Sequence, residues 1–432
     1  MKKFIFLLFL LSNEWLWASS KPNVIVILSD DAGYADFGFQ GSKEFKTPHI
    51  DSIAANGAVF TNGYVSGCVC SPSRAGFMTG RYQARFGHEN NLPPGCKLGM
   101  SIKEATFADK MKELGYYTGV IGKWHLGYQP EYHPNKRGFD WFYGCLQGSR
   151  SYWKISKPSD HRVIQFNGKP TEETDEYMTD RLGDNAVKFI NENKAQPFFL
   201  YLSFTAVHGP YQSKKEDVDF FASTALSKSR QNLAGMTKSL DENVGKVLSA
   251  LKNNSLLDNT ILVFLNDNGG TGPAVNEPLY GKKGTLYEGG TRVPFCIQWP
   301  SKIKQGIRLT EAVCAIDLLP TAIAAAGGSA VKDLDGVNLV PYLTGAETLK
   351  PRKLYWRRHS GSDTAWSTVR SGKWKLHRQP EGYRLFNLET DLQEQNDVKS
   401  SHKEVFEQLK NDLANWESQM IPPLFGKGAE GK

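Results

Sequence analysis

The stretch NVIVILSDD is apolar without a break from Val24 to Leu28 and ends abruptly at Asp30 and Asp31. A strand with one wet face alternates polar and apolar residues. A run with no alternation is buried on both faces, which is how a strand inside a parallel sheet reads. The pattern recurs along the chain. ATFADKMKELG reads as a helix leading into YYTGVIG, TDRLGDNAVKFINEN as one leading into PFFLYLSF, and SLDENVGKVLSALKNN as one leading into TILVFLNDNGG. TPHIDSIAANG adds a Thr-Pro helix start and an Asn-Gly stop. Helix–strand alternation of this kind predicts an α/β fold, a large mixed but mostly parallel sheet sandwiched by helices.

In such sheets the ligand crevice lies beyond the carboxyl ends of the strands. The polar clusters of this sequence fall at those ends: Asp30 and Asp31 after one strand, Lys123 and His125 after another, His208 after a third, Asp267 and Asn268 after a fourth. After about Tyr342 the texture changes. KLYWRR, AWSTVRSGKWKLHRQ and YRLFNLETD are short aromatic and β-branched stretches split by turn residues, and a helix follows around KEVFEQLKNDLANWESQ. The expected division is a catalytic domain over 19–341 and a smaller C-terminal subdomain over 342–432, with an antiparallel sheet and a closing helix.

The 432 residues are 40% hydrophobic and 22% charged, a globular composition that excludes disorder and coiled coil. A formal charge of +7 is mild, and no basic run is long enough to argue for nucleic acid. MKK, then FIFLLFLLS, then small residues near Ala18 read as a secretory signal peptide over 1–18, too short for a membrane span. The expected product is exported, periplasmic or secreted, with no membrane anchor. Cys68, Cys70, Cys96, Cys145, Cys296 and Cys314 show no repeated spacing. Cys70 is expected to be special and the others buried spectators.

Asp30, Asp31, Asp267 and Asn268 offer hard oxygens from two strand ends, the donor set that selects Ca²⁺ or Mg²⁺ over zinc. Taken singly, SDD and NDNGG are ordinary strand-terminating turns. Lys123 and His125 lie two apart in GKWHLG, so in extended chain both would point to one side. With His208 of AVHGP and Lys283 of GKKGTLYEGG they would form a clamp for a tetrahedral oxyanion. In GCVCSPSRAGFMTGRY, Pro72 fixes the backbone, Ser73 falls where a helix N-cap would, and Arg74 opens the helix. A thiolate at Cys70 would then be stabilised by the helix end and Arg74, as would any anionic oxygen.

CSPSRAGFMTGR matches, position for position, the signature of the type I, formylglycine-dependent sulfatases: Cys or Ser, any residue, Pro, Ser, Arg, four residues, Thr-Gly-Arg. The resemblance runs from VIVILSDD through GKWHLG, AVHGP, NDNGG and YEGGTRVP to DLLPTAIAAAGG and VRSGKWKL. It implies an alkaline phosphatase-like fold and, by a maturation enzyme, oxidation of Cys70 to Cα-formylglycine, hydrated to a gem-diol. It further implies that Asp30, Asp31, Asp267 and Asn268 bind Ca²⁺, which also ligates the group at position 70, with Mg²⁺ the other candidate. Arg74 would position the diol, and Asp267 would serve as base for attack on sulfur. Lys123, His208 and Lys283 would neutralise the sulfate oxygens, His208 or Lys283 protonating the leaving alcohol. His125 would take the proton from the second hydroxyl as sulfate departs.

Two other classes fit parts of this pattern: a phosphate or phosphonate ester hydrolase of the same superfamily, and a non-catalytic sulfated-glycan binding protein whose Cys70 is never converted. The expected substrate is a sulfated carbohydrate, approached by aromatic and basic residues of SRSYWK (Ser149–Lys154) and WRRHSG (Trp356–Gly361). These same residues would otherwise be core or sheet.

Overall fold

The structure is a computed structural model that describes residues 21–359 and 365–426. The signal-peptide stretch 1–18 and Ser360 and Gly361 of the WRRHSG stretch lie outside the described residues.

The apolar runs form the centre of a 10-stranded sheet. Asn23–Ser29 sits between Thr260–Asn266 and Phe198–Ser203, parallel to both, and Tyr117–Lys123 continues the parallel array with Trp141–Cys145 beyond it. The antiparallel members lie toward the edges: Phe295–Gln298 pairs antiparallel with Thr260–Asn266 and with Ala58–Phe60, and Gln165–Phe166 with Trp141–Cys145. The sheet is therefore mixed and mostly parallel, as the sequence predicts. Alternate residues of the first strand feed opposite faces: Val24, Val26 and Leu28 enter one core, Ile25 and Ile27 the other. Helices Cys70–Thr79, Phe107–Glu113 and Leu318–Ala325 cover the first face. Pro48–Ala55, Met178–Asn193 and Lys228–Asn253 cover the second. A run apolar on both sides is thus explained by two cores, one on each side of the sheet.

A separate antiparallel sheet runs Lys353–Arg358, Trp366–Ser371, Trp374–Gln379, Gly382–Asn387 in that order. Helix Lys403–Glu417 packs on it through Leu409, Leu413 and Trp416. Their shared core also takes in Tyr64, Cys68 and Leu286 from the main body. Beneath it lies a fully buried charge network. Glu288 accepts from Lys375 Nζ at 2.8 Å and from the Tyr64 hydroxyl at 2.6 Å, and Lys375 also lies 3.1 Å from Glu394. That network ties the small sheet to the loop that carries Lys283.

Candidate active site

Four adjacent parallel strands end at one edge, so the residues at their carboxyl ends converge. Asp30 and Asp31 follow the central strand, Asp267 and Asn268 the neighbour on one side. His208 follows the neighbour on the other side, and Lys123 is the last residue of the strand beyond it. Asp30, Asp31, Lys123, Asp267 and Asn268 are all buried. Gly122 permits this crowding: its φ is +109, and a Cβ there would stand 1.9 Å from the Ser203 carbonyl oxygen.

The fifth contributor is the helix Cys70–Thr79. It begins at Cys70 with Val69 as N-cap, rather than after Ser73. Pro72 falls in the first turn, where its missing N–H is one that the helix would not have used. No side chain caps this end; the Ser71 N–H instead donates to Asn91 Oδ1 at 2.9 Å. With this earlier start, Cys70 and Arg74 stand at i and i+4, on one face of the same helix, and both point into the crevice.

Arg74 is wholly buried. Its Nε and Nη2 donate to Asp267 Oδ2 at 3.0 and 2.8 Å, and its Nη1 donates to Tyr201 OH at 3.2 Å, to the Lys123 carbonyl at 3.3 Å and to Ser203 Oγ. Nη2 also lies 3.5 Å from Asp30 Oδ2. Lys123 Nζ donates to Asp30 Oδ2 at 2.5 Å. Lys283 Nζ reaches Asp31 Oδ2 at 2.7 Å and Cys70 Sγ at 3.1 Å, and Sγ lies 3.6 Å from Asp30 Oδ1. His208 Nδ1 donates to the Gly209 carbonyl at 2.6 Å, leaving Nε2 at 3.5 Å from Asp31 Oδ2.

Burial alone would raise the Asp30 carboxyl, but Lys123, His208 and Arg74 outweigh it and hold it below the ordinary range. Cys70 goes the other way: burial pushes its thiol far up, and Lys123 and Lys283 do not overcome that against Asp267 and Asp30. The expected thiolate is therefore wrong for the unmodified side chain. A helix end and an arginine are too little where the sulfur itself is buried and two carboxylates face it.

His125 departs from the extended geometry expected of GKWHLG. The strand ends at Lys123, and His125 takes a left-handed backbone with φ +58. Its carbonyl accepts from Ser71 Oγ, which in turn meets His88 Nε2 at 2.6 Å. The ring packs on Gly148, and its Nδ1 is buried with no partner. Burial and the cations Lys123, Arg74 and Lys283 hold this imidazole well below its usual pKa, so it is neutral. Asp31 is likewise left-handed, with φ +61. Sparsely populated backbone of this kind concentrates at functional sites.

The donor set fits a hard divalent cation. Ligating atoms of Asp30, Asp31, Cys70 and His208 all lie within 4.8 Å of one another. Asp267 Oδ1 accepts from the Asp31 N–H at 3.4 Å, and Asn268 Nδ2 donates to Asp31 Oδ1 at 2.8 Å. Asn268 Oδ1 is buried and without a partner, an amide oxygen aimed where only a cation or donor could satisfy it. The three carboxylates face Arg74, Lys123 and Lys283, so the cluster is balanced by ammonium and guanidinium groups.

Sequence reasoning did not find Tyr201 and Ser203, which brace Arg74 from within a strand, nor Ser71 and His88, which hold the His125 backbone. Tyr201 and Ser203 lie inside a largely apolar run, Ser71 at the signature's variable position and His88 in a polar loop beyond it, and at none of these does a local signal mark the role. The proposed sugar-facing residues divide. Arg150 is buried on Glu173 at 2.8 Å and Tyr152 is buried on the Thr205 carbonyl, so both are structural, whereas Trp153 is half-buried and Lys154 exposed. Trp356 is core, its Nε1 donating to the Val65 carbonyl. The described cysteines are all free thiols, buried except for the partly exposed Cys96.

A parallel-sheet edge where carboxylates, fixed cations and a helix-borne side chain meet suits the binding of a tetrahedral oxyanion ester. Residues 22–329 match the family model described as Sulfatase, and residues 277–419 match that described as N-sulphoglucosamine sulphohydrolase, C-terminal. The chain belongs to the sulfatase family and is an enzyme of sulfate-ester hydrolysis. It is 31% identical to mouse "Arylsulfatase J" across 94% of this chain and 77% of that protein. It is 32% identical to dog "N-acetylgalactosamine-6-sulfatase" across 83% and 72%. Among solved structures, Ps i-CgsB in complex with k-i-k-neocarrahexaose superimposes with a TM-score of 0.89 at 37% identity, covering 95% of this chain and 96% of that one. No helix among the described residues is long and apolar enough to cross a membrane.

Proposed function

We propose that this sulfatase releases inorganic sulfate from a sulfated carbohydrate, with Cys70 matured to Cα-formylglycine beside a bound Ca²⁺ (or Mg²⁺) held by Asp30, Asp31, Asp267 and Asn268. The observation that carries the proposal is the placement of Cys70. A protonated, buried thiol stands 3.6 Å from Asp30 and 3.1 Å from Lys283, a soft and inert atom among hard donors and cations. An oxygen species at that position fits the donor set, and a thiol does not. The hydrated aldehyde would supply an oxygen nucleophile with a second hydroxyl through which sulfate is shed, and the cation would supply Lewis acidity.

The chain's own residues do the rest. Arg74 holds Asp267 by two donors, fixing the carboxylate that takes the proton from the attacking hydroxyl. Lys123, fully buried, and Lys283, largely buried, set positive charge around the sulfate oxygens, where charge held away from water acts most strongly. His208 presents Nε2 toward the crevice, and either it or Lys283 donates the proton to the leaving alcohol. His125, neutral and with a vacant nitrogen, accepts the proton released as sulfate departs.

The carbohydrate is supported by the neocarrahexaose complex of the relative at 37% identity, which makes carrageenan-type oligosaccharides the first substrates to try. Residues 1–18 act as an export signal, 19–341 form the catalytic domain and 342–432 the C-terminal subdomain, and a maturation enzyme is the required partner. The test is sulfate release from defined sulfated oligosaccharides, compared with turnover of 4-nitrophenyl sulfate and 4-nitrophenyl phosphate. Turnover of aryl sulfate alone would remove the carbohydrate; faster turnover of the phosphate would remove the sulfatase reading in favour of a phosphate ester hydrolase.

A further inference from the structure

Arg358 ends the strand Lys353–Arg358, and its side chain lies against the loop that carries Lys283. A methyl group built on Gly284 would stand 2.7 Å from Arg358 Nη1. Gly284 has φ +88, so backbone and guanidinium both require glycine there. The same loop is anchored at the active site: the Gly284 N–H donates to the Cys68 carbonyl at 2.7 Å, and Lys283 Nζ lies 3.1 Å from Cys70 Sγ. Among charged groups, Arg358 acts most strongly on the Cys68 thiol.

The other cations of this sheet have partners. Arg357 forks onto Glu89, with Nε at 2.9 Å from Oε2, Lys353 pairs with Asp412 at 2.7 Å, and Arg378 with Glu417 at 2.7 Å. Arg358 is half-buried and has no hydrogen-bond or ion-pair partner among the described residues. A guanidinium that gives up water without a counter-charge is poorly explained by stability, and its planar fork is shaped for an oxyanion. Beside it runs an aromatic row. Trp366 is its partner across the sheet; the Trp366 ring is 4.9 Å from Tyr287, which is 4.8 Å from Tyr280, itself 48% exposed.

We propose that Arg358 is a specificity residue that binds a second anionic group, a sulfate or carboxylate on the carbohydrate whose reacting sulfate ester sits at Cys70. The proposal rests on the carbohydrate sulfatase reading above. The reacting sulfate already has Arg74, Lys123 and Lys283; Arg358 stands outside them, across the Lys283 loop, where a neighbouring substituent would fall. The enzyme would then prefer multiply charged saccharides to singly charged ones.

Binding is measured by calorimetry in a Cys70→Ala background, where no turnover intrudes, with Arg358 intact, Arg358→Gln and Arg358→Lys. The probes are k-i-k-neocarrahexaose and a monosulfated disaccharide carrying a uronate; 4-nitrophenyl sulfate turnover is followed with Cys70 intact. Arg358→Gln should weaken a charged saccharide by about 10- to 100-fold, as loss of a charge-assisted pair does, with partial recovery in Arg358→Lys. The loss should exceed that in kcat/KM for 4-nitrophenyl sulfate by about tenfold or more. Loss on the hexaose alone identifies a sulfate, and loss on the uronate alone a carboxylate. Saccharide binding with the same Kd in Arg358→Gln, or an equal loss on saccharide and aryl sulfate, overturns the role of Arg358 alone. Aryl sulfate turnover with no saccharide binding by the Arg358 protein overturns the carbohydrate reading as well.

Discussion

Replacing Arg74 by methionine keeps much of its volume and removes its charge and donors. The side chain makes two charge-assisted hydrogen bonds to Asp267 and lies 3.5 Å from Asp30, with both carboxylates out of water. Each such bond contributes ~1.5–3 kcal/mol. Stranding one member of a buried pair costs ~3–5 kcal/mol in total. In urea unfolding of the full chain with chelator present, Arg74→Met should lose about that much stability. Arg74→Lys, which keeps the charge but not the fork, should lose roughly half. Adding Ca²⁺ should narrow the gap by ~1 kcal/mol or more, because positive charge beside Asp30 and Asp267 is restored, and unit charges 4 Å apart interact by ~4 kcal/mol at an effective dielectric of ~20. Turnover should stay at least ~100-fold down in every condition, since positioning by Arg74 is not replaced by an ion. A stability loss below ~1 kcal/mol, or one indifferent to Ca²⁺, would refute both the stranded-carboxylate argument and the cation site.

Burial opposes the Glu288 charge, but Lys375, Arg370 and Arg292 overcome it and depress its pKa far below the usual carboxylate range. A depressed carboxylate stabilises above its unfolded pKa and loses that contribution as pH falls through the folded one. Glu288→Gln should therefore be markedly destabilised at neutral pH, and its deficit should shrink below about pH 4; a deficit constant with pH would contradict the network. Chelation followed by dialysis should abolish turnover and Ca²⁺ should restore it, with full activity in metal-free protein as the contrary result. His125→Gln should lower kcat ~100-fold or more with little change in KM, whereas a change in KM alone would make His125 a binding residue.

The central sheet was legible because a two-sided core leaves no polar position in Val24–Leu28 or in Ile261–Leu265, and helices must then cover both faces. The site's edge was legible for a related reason. Parallel neighbours share a direction, so Asp30, Lys123, His208 and Asp267 had to meet if their strands were adjacent. Local detail was not. His125 turns left-handed just past the end of the strand at Lys123, where the Trp124 and His125 N–H groups donate in succession to the Cys145 and Leu146 carbonyls instead of alternating, which alternation along a strand cannot foresee. Ser73 looked like a cap by residue type, but Asn91 from a distant loop satisfies the first turn instead. The Cys70 thiol differs from expectation because helix-end charge is visible in sequence, whereas burial of the sulfur and the approach of Asp267 and Asp30 are tertiary facts. In sequence Arg358 is only one basic residue among several in WRRHSG; its lack of a partner among the described residues shows once the other cations of that sheet are seen to have one.

Mass analysis of the proteolytic peptide containing Cys70, from a preparation of known specific activity, bears most directly on the mechanism. The expected result is an aldehyde, sulfur exchanged for oxygen, in a fraction of molecules that rises in step with turnover across preparations. Fully active protein whose Cys70 is entirely an unmodified thiol would contradict it.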